Sequence, residues 1–119
     1  MSIPLQVVVI DDNPTNRLLP GLFLRPLGHE VQECGSAQEA LDWLAQSHCD
    51  VVLLDISMPH VSGLQLCQQL RADQRYQHLR IIAYTAHAMP DEVLLWESSG
   101  FDKVLLKPIR KDDLLALFT

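Results

Sequence analysis

The sequence predicts an α/β protein: one parallel β-sheet of five strands, flanked by five helices and joined by right-handed crossovers. Short β-branched and aliphatic runs alternate with segments of helical periodicity along the chain. The runs are bounded by turn or acidic residues, which is typical of strands buried on both faces. No repeat or linker divides the 119 residues, so we expect a single domain spanning residues 1–119.

The predicted strands are four strong apolar runs and one weaker run. The weaker run is the second in the chain. In chain order the strands are Gln6–Ile10, Glu30–Glu33, Val51–Leu54, Ile81–Tyr84 and Lys103–Leu106.

Helical patterns fill the gaps between these strands. The first helix runs from about Pro14 to Leu27, and because Pro20 and Gly21 lie inside it we expect a kink or a broken turn there. The other four begin at recognisable positions: the capping box Ser36–Glu39, the segment after Gly63, the acidic start at Pro90, and Lys111–Phe118.

Composition excludes some classes of function. The chain is 48% hydrophobic and 20% charged with a formal net charge of -6, and it has no Lys/Arg cluster, so direct nucleic-acid binding is not expected. The cysteines Cys34, Cys49 and Cys67 show no C-x-x-C spacing, which favours a reducing compartment where thiols pack as small hydrophobes. The N-terminal apolar run is too short for a signal peptide or membrane span, so we expect a cytoplasmic protein.

Each strong strand ends in a polar or charged residue. Asp11 and Asp12 follow the first strand, Asp55 the third, Thr85 the fourth and Lys107 the fifth. Ligands of such sheets bind beyond the carboxyl ends of the strands. Three carboxylates there repel one another, and Mg²⁺ relieves this because it takes oxygen ligands and keeps room for a phosphate.

A cation beside carboxylates, a hydroxyl and an ammonium group suits phosphoryl transfer. Mg²⁺ and Lys107 neutralise charge on the phosphoryl oxygens, and Thr85 donates a hydrogen bond to one of them. One carboxylate serves as the nucleophile and forms an aspartyl phosphate.

The same residues carry a resemblance over nearly the whole chain. The motifs are Asp11-Asp12, Asp55 with Met58-Pro59 and Gly63 behind it, Thr85-Ala86, and Lys107-Pro108. In this order, at successive strand ends, they resemble the receiver domain of two-component response regulators, including the chemotaxis regulators. The resemblance implies a flavodoxin-like, doubly wound sheet of strand order 2-1-3-4-5.

The resemblance also implies a role for each site residue. Asp55 is the phosphoacceptor and binds Mg²⁺ through its carboxylate, as Asp12 does. Asp11 holds the ion mainly through water, and Ser57 contributes its backbone carbonyl.

Two further roles concern the phosphoryl group itself. Lys107 pairs with it, and Thr85 moves toward it when Asp55 is modified. Lys107-Pro108 is similar to the cis peptide of the family.

The implied function is phosphorelay signalling. The domain takes a phosphoryl group from a histidine kinase or a histidine phosphotransfer protein, and so switches a partner interaction. It is not an enzyme beyond catalysing its own phosphorylation and dephosphorylation, and we expect a monomer or weak dimer. The segment Asp11–Arg17 resembles receivers of hybrid histidine kinases, but a single-domain regulator fits equally well. We expect no output domain in this chain.

The sequence departs from the family pattern at Val104, where an aromatic residue often reports phosphorylation. Ser57 and His87 occupy positions that commonly tune hydrolysis of the acyl phosphate. We expect Trp96 to be a boundary residue that lies, with Val104, on the face that family members use to meet partners.

Two other functions compete with the receiver. A phosphohydrolase with an aspartyl nucleophile usually has a second aspartate two residues later, where this chain has Ser57. A phosphorylation-independent scaffold is favoured only by Val104. Nucleotide binding is excluded because neither glycine-rich phosphate motif is present.

Overall fold

The chain folds into one five-stranded parallel sheet. The computed structural model describes residues 4–58, 62–86 and 88–118. The strand order is β2-β1-β3-β4-β5, which confirms the predicted topology. The strands are β1 (Gln6–Ile10), β2 (Glu30–Cys34), β3 (Val51–Asp55), β4 (Arg80–Thr85) and β5 (Lys103–Leu106).

Five helices cover the two faces of the sheet. They are α1 (Pro14–Leu24), α2 (Ala37–Leu44), α3 (Gly63–Arg71), α4 (Pro90–Ser98) and α5 (Lys111–Ala116). Short 3₁₀ turns at Arg25–Leu27 and Gln74–Tyr76 complete the described helical structure. In the described part of the chain, no helix is long and apolar enough to cross a membrane.

Strand alternation divides the interior into two hydrophobic clusters. Val8 and Val52 point to the face covered by α2, α3 and α4, and their neighbours Val7 and Leu53 point to the face covered by α1 and α5. The three cysteines are buried as free thiols, in keeping with their prediction as small hydrophobes. Burial raises their pKa values, which reach about 12 at Cys49.

The predicted break near Pro20 is wrong. α1 runs without interruption through Pro20, which is buried together with Gly21 and Leu24. Proline lacks one N–H and so removes one hydrogen bond, but packing of a buried helical face outweighs that loss. The chain leaves the α-helix five residues later, and Gly28 closes the 3₁₀ turn with a left-handed φ of 95°.

The prediction that every strand is buried on both faces holds only for the interior of the sheet. β3 is buried along its whole length, whereas β5 is half-buried and exposed at its two ends. β2 alternates between exposed and half-buried residues. β2 and β5 are the edges of the sheet, so each has a strand on one side only.

Candidate functional site

Three carboxylates lie together at the carboxyl edge of the sheet. Asp11 follows β1, Asp55 ends β3, and these strands are paired with Ile10 opposite Leu54. With Asp12 they place one carboxylate oxygen each within 4.8 Å of the others, as the sequence predicted. Asp11 and Asp55 are buried and Asp12 is exposed. The site is therefore open to solvent on the side of Asp12.

Lys107 bridges the two buried carboxylates. Its Nζ lies 3.1 Å from Asp11 Oδ2 and 3.2 Å from Asp55 Oδ1. The backbone N–H of Lys107 donates to the carbonyl of Thr85 at 2.7 Å, which holds the end of β5 against the end of β4. The Lys107–Pro108 peptide is cis, as the resemblance implied.

Tyr84 belongs to the site, and sequence reasoning treated it only as an apolar strand residue. Its hydroxyl donates to Asp11 Oδ2 at 2.8 Å, and its ring lies 4.7 Å below the Lys107 ammonium group. A buried tyrosine hydroxyl needs a hydrogen-bond partner. Tyr84 directly precedes Thr85, at the edge of the sheet where the predicted site supplies hydrogen-bond partners. That position was the signal in the sequence that its hydroxyl group belongs to the site.

Backbone N–H groups fix the orientation of both buried carboxylates. The N–H of Asn13 donates to Asp11 Oδ1 at 2.9 Å, and the N–H of Ser57 donates to Asp55 Oδ1 at 3.2 Å. The side chain of Asn13 then accepts two backbone N–H bonds and caps α1. The strand ends and the helix start are thus tied to the same site.

The two buried carboxyl groups differ in acidity. Burial alone raises the pKa of Asp11, but hydrogen bonds from Asn13, Tyr84 and Lys107 outweigh burial and hold that pKa below its usual value. At Asp55, burial raises the pKa, the charge of Asp11 raises it further, and the contacts with Ser57 and Lys107 offset only part of this. Asp55 is therefore the carboxylate whose ionisation is the less favourable without a further cation.

Gly63 allows the start of α3 to approach the backbone of Asp55. A Cβ atom at Gly63 would lie 2.3 Å from the carbonyl oxygen of Asp55 and 2.8 Å from the Cα of Ile56. Both contacts are with backbone, which cannot rotate away. Only glycine lets α3 pack this closely behind Asp55.

A cleft of about 460 Å³ lies over the carboxylates. Ser57, Thr85 and Lys107 line it, so the structure brings every predicted site residue to one place. Its wall also includes Glu92 and Trp96 of α4, which sequence reasoning did not assign to the site. Residues 59 to 61 and His87 lie outside the described residues, so the predicted roles of Pro59 and His87 stay predictions.

Trp96 packs more deeply than the expected boundary position. Its side chain is only 4% exposed and belongs to the larger hydrophobic cluster, against which Val104 also packs. That Trp96 and Val104 lie on a face used to meet partners stays a prediction. The wide, flat indole group reaches from α4 to the cleft, which the helical pattern of α4 alone does not indicate.

The residues present fit a hard divalent cation. Carboxylate oxygens and a backbone carbonyl are the donors that Mg²⁺ takes, and the open side at Asp12 leaves room for the waters it retains. Among the described residues, the clustered donors are three carboxylates, with no thiol or imidazole that would favour a softer metal.

The family model of the response regulator receiver domain matches residues 7–119. The chain belongs to this family. Receiver domains of the family act in two-component signal transduction and bind Mg²⁺ at an acidic pocket. The cluster of Asp11, Asp12 and Asp55 corresponds to such a pocket.

Relatives of known role include both single receivers and receivers within sensor kinases. The chain is 34% identical to the polar-differentiation response regulator DivK of Brucella ovis, over 87% of this chain and 84% of DivK. It is 33% identical to the sensor kinase/phosphatase CqsS of Vibrio cholerae and 32% identical to the histidine kinase BarA of Escherichia coli, covering 95% of this chain in each case. The chain spans only 18% of CqsS and 12% of BarA.

Solved structures agree with the fold of this receiver domain. The chemotaxis protein CheY4 of Vibrio cholerae superimposes with a TM-score of 0.90 at 24% identity, covering 97% of this chain and 96% of CheY4. A putative response regulator from Chloroflexus aurantiacus gives 0.89 at 26% identity, covering 97% and 94%.

Proposed function

We propose that Asp55 accepts a phosphoryl group from the phosphohistidine of a histidine kinase or histidine phosphotransfer protein, with Mg²⁺ bound beside it. One receiver domain over residues 1–119, monomeric or weakly dimeric in the cytoplasm, then changes its interaction with a partner. The observation that carries this proposal is the placement of Asp55. It is a buried carboxylate at the floor of an open acidic cleft, in contact with a lysine.

The contacts of Asp55 favour one oxygen as the nucleophile. Lys107 and the Ser57 N–H both contact Oδ1, so we assign the attack to Oδ2. Oδ2 attacks phosphorus in line with the P–N bond of the donor. That bond breaks, its electron pair returns to the imidazole, and the imidazole takes a proton from water.

The hydrogen bonds of Asp11 support different modes of Mg²⁺ binding for the three carboxylates, through water for one and directly for the other two. Tyr84 and Lys107 occupy Asp11 Oδ2, and the Asn13 N–H occupies Oδ1, so this carboxylate would hold Mg²⁺ through water. Asp12 and Asp55 would bind the ion directly, and Ser57 would add its carbonyl. The bound ion supplies positive charge for the phosphoryl oxygens.

Lys107 and Thr85 complete the site. The Lys107 ammonium group leaves its bridge between the carboxylates and pairs with the phosphoryl group, which carries more negative charge than either carboxylate. The Thr85 hydroxyl donates to another phosphoryl oxygen. The domain thereby catalyses its own phosphorylation and, with water in place of the partner histidine, its dephosphorylation.

The test is the intact-protein mass after incubation with phosphoramidate, with and without Mg²⁺. We expect one phosphoryl adduct that requires Mg²⁺ and is absent in Asp55→Asn. Asp42→Asn is the matched control, because Asp42 is an exposed aspartate on α2, and this variant should form the adduct normally.

The alternative is a scaffold that binds partners without phosphorylation, and Val104 is the observation that favours it. A chain that binds Mg²⁺ yet forms no adduct at Asp55 would contradict our proposal and support this alternative.

A further inference from the structure

The helix α4 is attached to the domain through one fully buried side chain. All nine of its residues are described, and among them only Trp96 is buried, while Val93 is half-buried. Leu94 and Leu95 are 67% and 53% exposed. The position of α4 on the sheet therefore depends on where the indole group of Trp96 lies.

The same indole group forms part of the wall of the acidic cleft. Trp96 lines the cleft together with Asp55, Thr85 and Lys107, although it comes from a different element than any of them. Glu92, four residues earlier, lies on the same face of α4 and also lines the cleft. One face of α4 thus closes over the site proposed to take the phosphoryl group.

Packing alone holds the indole group in place. The indole N–H of Trp96 makes no hydrogen bond within the described residues, so a shift of the ring breaks none. Trp96 belongs to the larger hydrophobic cluster, and the small side chain of Val104 on β5 packs against the same cluster.

Among the contacts that described residues make, the two ends of α4 are held unequally. Past its C-terminal end, the carbonyl of Gly100 accepts from Arg71 Nε at 2.9 Å, and the carbonyl of Ser99 accepts from the Cys67 thiol at 3.8 Å. At its start, the N–H of Met89 donates to the Glu92 carboxylate at a long 3.4 Å, and Met89 is 63% exposed. A displaced α4 would therefore pivot about its C-terminal end.

We propose that Trp96 is the positioning residue through which the state of Asp55 reaches α4. This inference rests on the proposed function. The phosphoryl group adds volume and negative charge in the cleft, and Lys107 leaves its bridge to meet it. The indole group shifts in response, and the N-terminal half of α4 moves with it. Trp96 thus transmits the phosphorylation state of Asp55 to α4 in a chain whose β5 carries the small Val104 in place of an aromatic residue.

The first experiment uses the fact that the chain has two tryptophans. In Trp43→Phe, Trp96 is the only tryptophan, and excitation at a wavelength that tyrosine does not absorb separates its emission from that of Tyr76 and Tyr84. Trp43 is half-buried on α2 and is not part of the cleft wall. We expect the emission of Trp96 to change as phosphoramidate and Mg²⁺ are added, with the same concentration dependence as the adduct mass. In Trp96→Phe the emission of Trp43 should stay constant. An unchanged emission of Trp96 while the adduct forms would overturn the inference.

The second experiment removes the ring and follows α4 directly. Amide NMR shifts of Leu94 and Leu95 should change on phosphorylation in the wild type and in Trp96→Phe, which keeps a ring, and the change should be lost in Trp96→Leu. Intact mass is measured on the same samples, so that the shift changes of the three proteins are compared at an equal fraction of adduct. If the shifts persist in Trp96→Leu, the inference is wrong. If the wild type forms no adduct, the proposed function fails, and the inference fails with it.

Discussion

The helices α3 and α4 have the same length, nine residues, yet they are held very differently. α3 buries four residues, which are Gly63, Leu66, Cys67 and Leu70. α4 buries only Trp96 among its nine described residues. Since burial of apolar surface is the main stabilising term, α3 is the more firmly attached of the two.

The ends of the two helices repeat this difference. α3 begins with a reciprocal capping box, in which Ser62 accepts from the Gln65 N–H at 3.2 Å and Gln65 accepts from the Ser62 N–H at 3.0 Å. It ends at Arg71, whose guanidinium group donates to Leu79, Gly100 and Asp102. α4 begins at the exposed Met89, whose N–H donates to the Glu92 carboxylate at a long 3.4 Å and whose carbonyl accepts from the Val93 N–H at 3.0 Å.

Both helices border the site, so the comparison assigns them different tasks. α3 supports Asp55 from behind through Gly63 and cannot shift without moving the nucleophile. α4 contributes Glu92 and Trp96 to the cleft but none of the three clustered carboxylates, and the inference above assigns the movement to it. We call α3 the fixed wall of the cleft and α4 its movable wall. The two helices are consecutive in the chain.

The largest expected effect is a difference in stability between the helices. Leu66→Ala removes a fully buried side chain of α3 and should lower the free energy of unfolding by about 2–5 kcal/mol. Leu94→Ala makes the same change at a side chain of α4 that is 67% exposed, and it should change stability by no more than about 0.5 kcal/mol. Urea unfolding of both variants measures the difference, and equal losses would remove the basis of the comparison.

The next effect tests the fixed wall alone. Gly63→Ala forces a Cβ against the Asp55 backbone and should cost about 1–3 kcal/mol, with slower adduct formation because the nucleophile is displaced. Gly21→Ala is the matched control. Its Cβ meets only the flexible end of the Arg25 side chain, and alanine favours a helix by about 0.5–1 kcal/mol, so this variant should be neutral or more stable. Normal phosphorylation in Gly63→Ala would show that α3 does not set the position of Asp55.

The smallest effect concerns the charge of Asp55, the residue at the end of β3 that α3 supports. Burial and the neighbouring Asp11 raise the pKa of Asp55 in the folded state, so ionisation of Asp55 destabilises the metal-free fold. This destabilisation appears as the pH rises from about 4, the ordinary pKa of aspartate, through the raised folded pKa. Without Mg²⁺, Asp55→Asn should therefore melt at a higher temperature than the wild type at pH 7.

The control for this prediction is the pH itself. The difference in melting temperature should disappear below about pH 4, where Asp55 is protonated in both folded and unfolded chains. Mg²⁺ should stabilise the wild type more than the variant, because it binds only the folded site. An Asp55→Asn variant that is less stable at pH 7 without Mg²⁺ would contradict the proposed repulsion between Asp55 and Asp11.

Much of the fold was predictable because its periodicities are strong. Four-residue apolar runs ending in Asp, Thr or Lys predicted the strands and the meeting of Asp11, Asp12 and Asp55 at one edge. The alternation of strands and helices predicted the α/β class, and the family resemblance supplied the strand order.

What the sequence did not reveal depends on contacts between elements. The Tyr84 bond to Asp11 joins residues 73 positions apart. Pro20 stays helical because its burial against the sheet offsets a local loss that propensity alone would count as decisive. Trp96 lines the cleft beside Asp55 of β3 and Thr85 of β4, and no local pattern encodes that placement.

The most direct test of the account is hydrogen–deuterium exchange of α3 and α4 in one sample, before and after phosphorylation with phosphoramidate and Mg²⁺. We predict that exchange at residues 90 to 95 of α4 changes when the adduct forms, while exchange at residues 66 to 71 of α3 stays constant. Equal changes in both helices, or a change confined to α3, would contradict the assignment of a fixed and a movable wall.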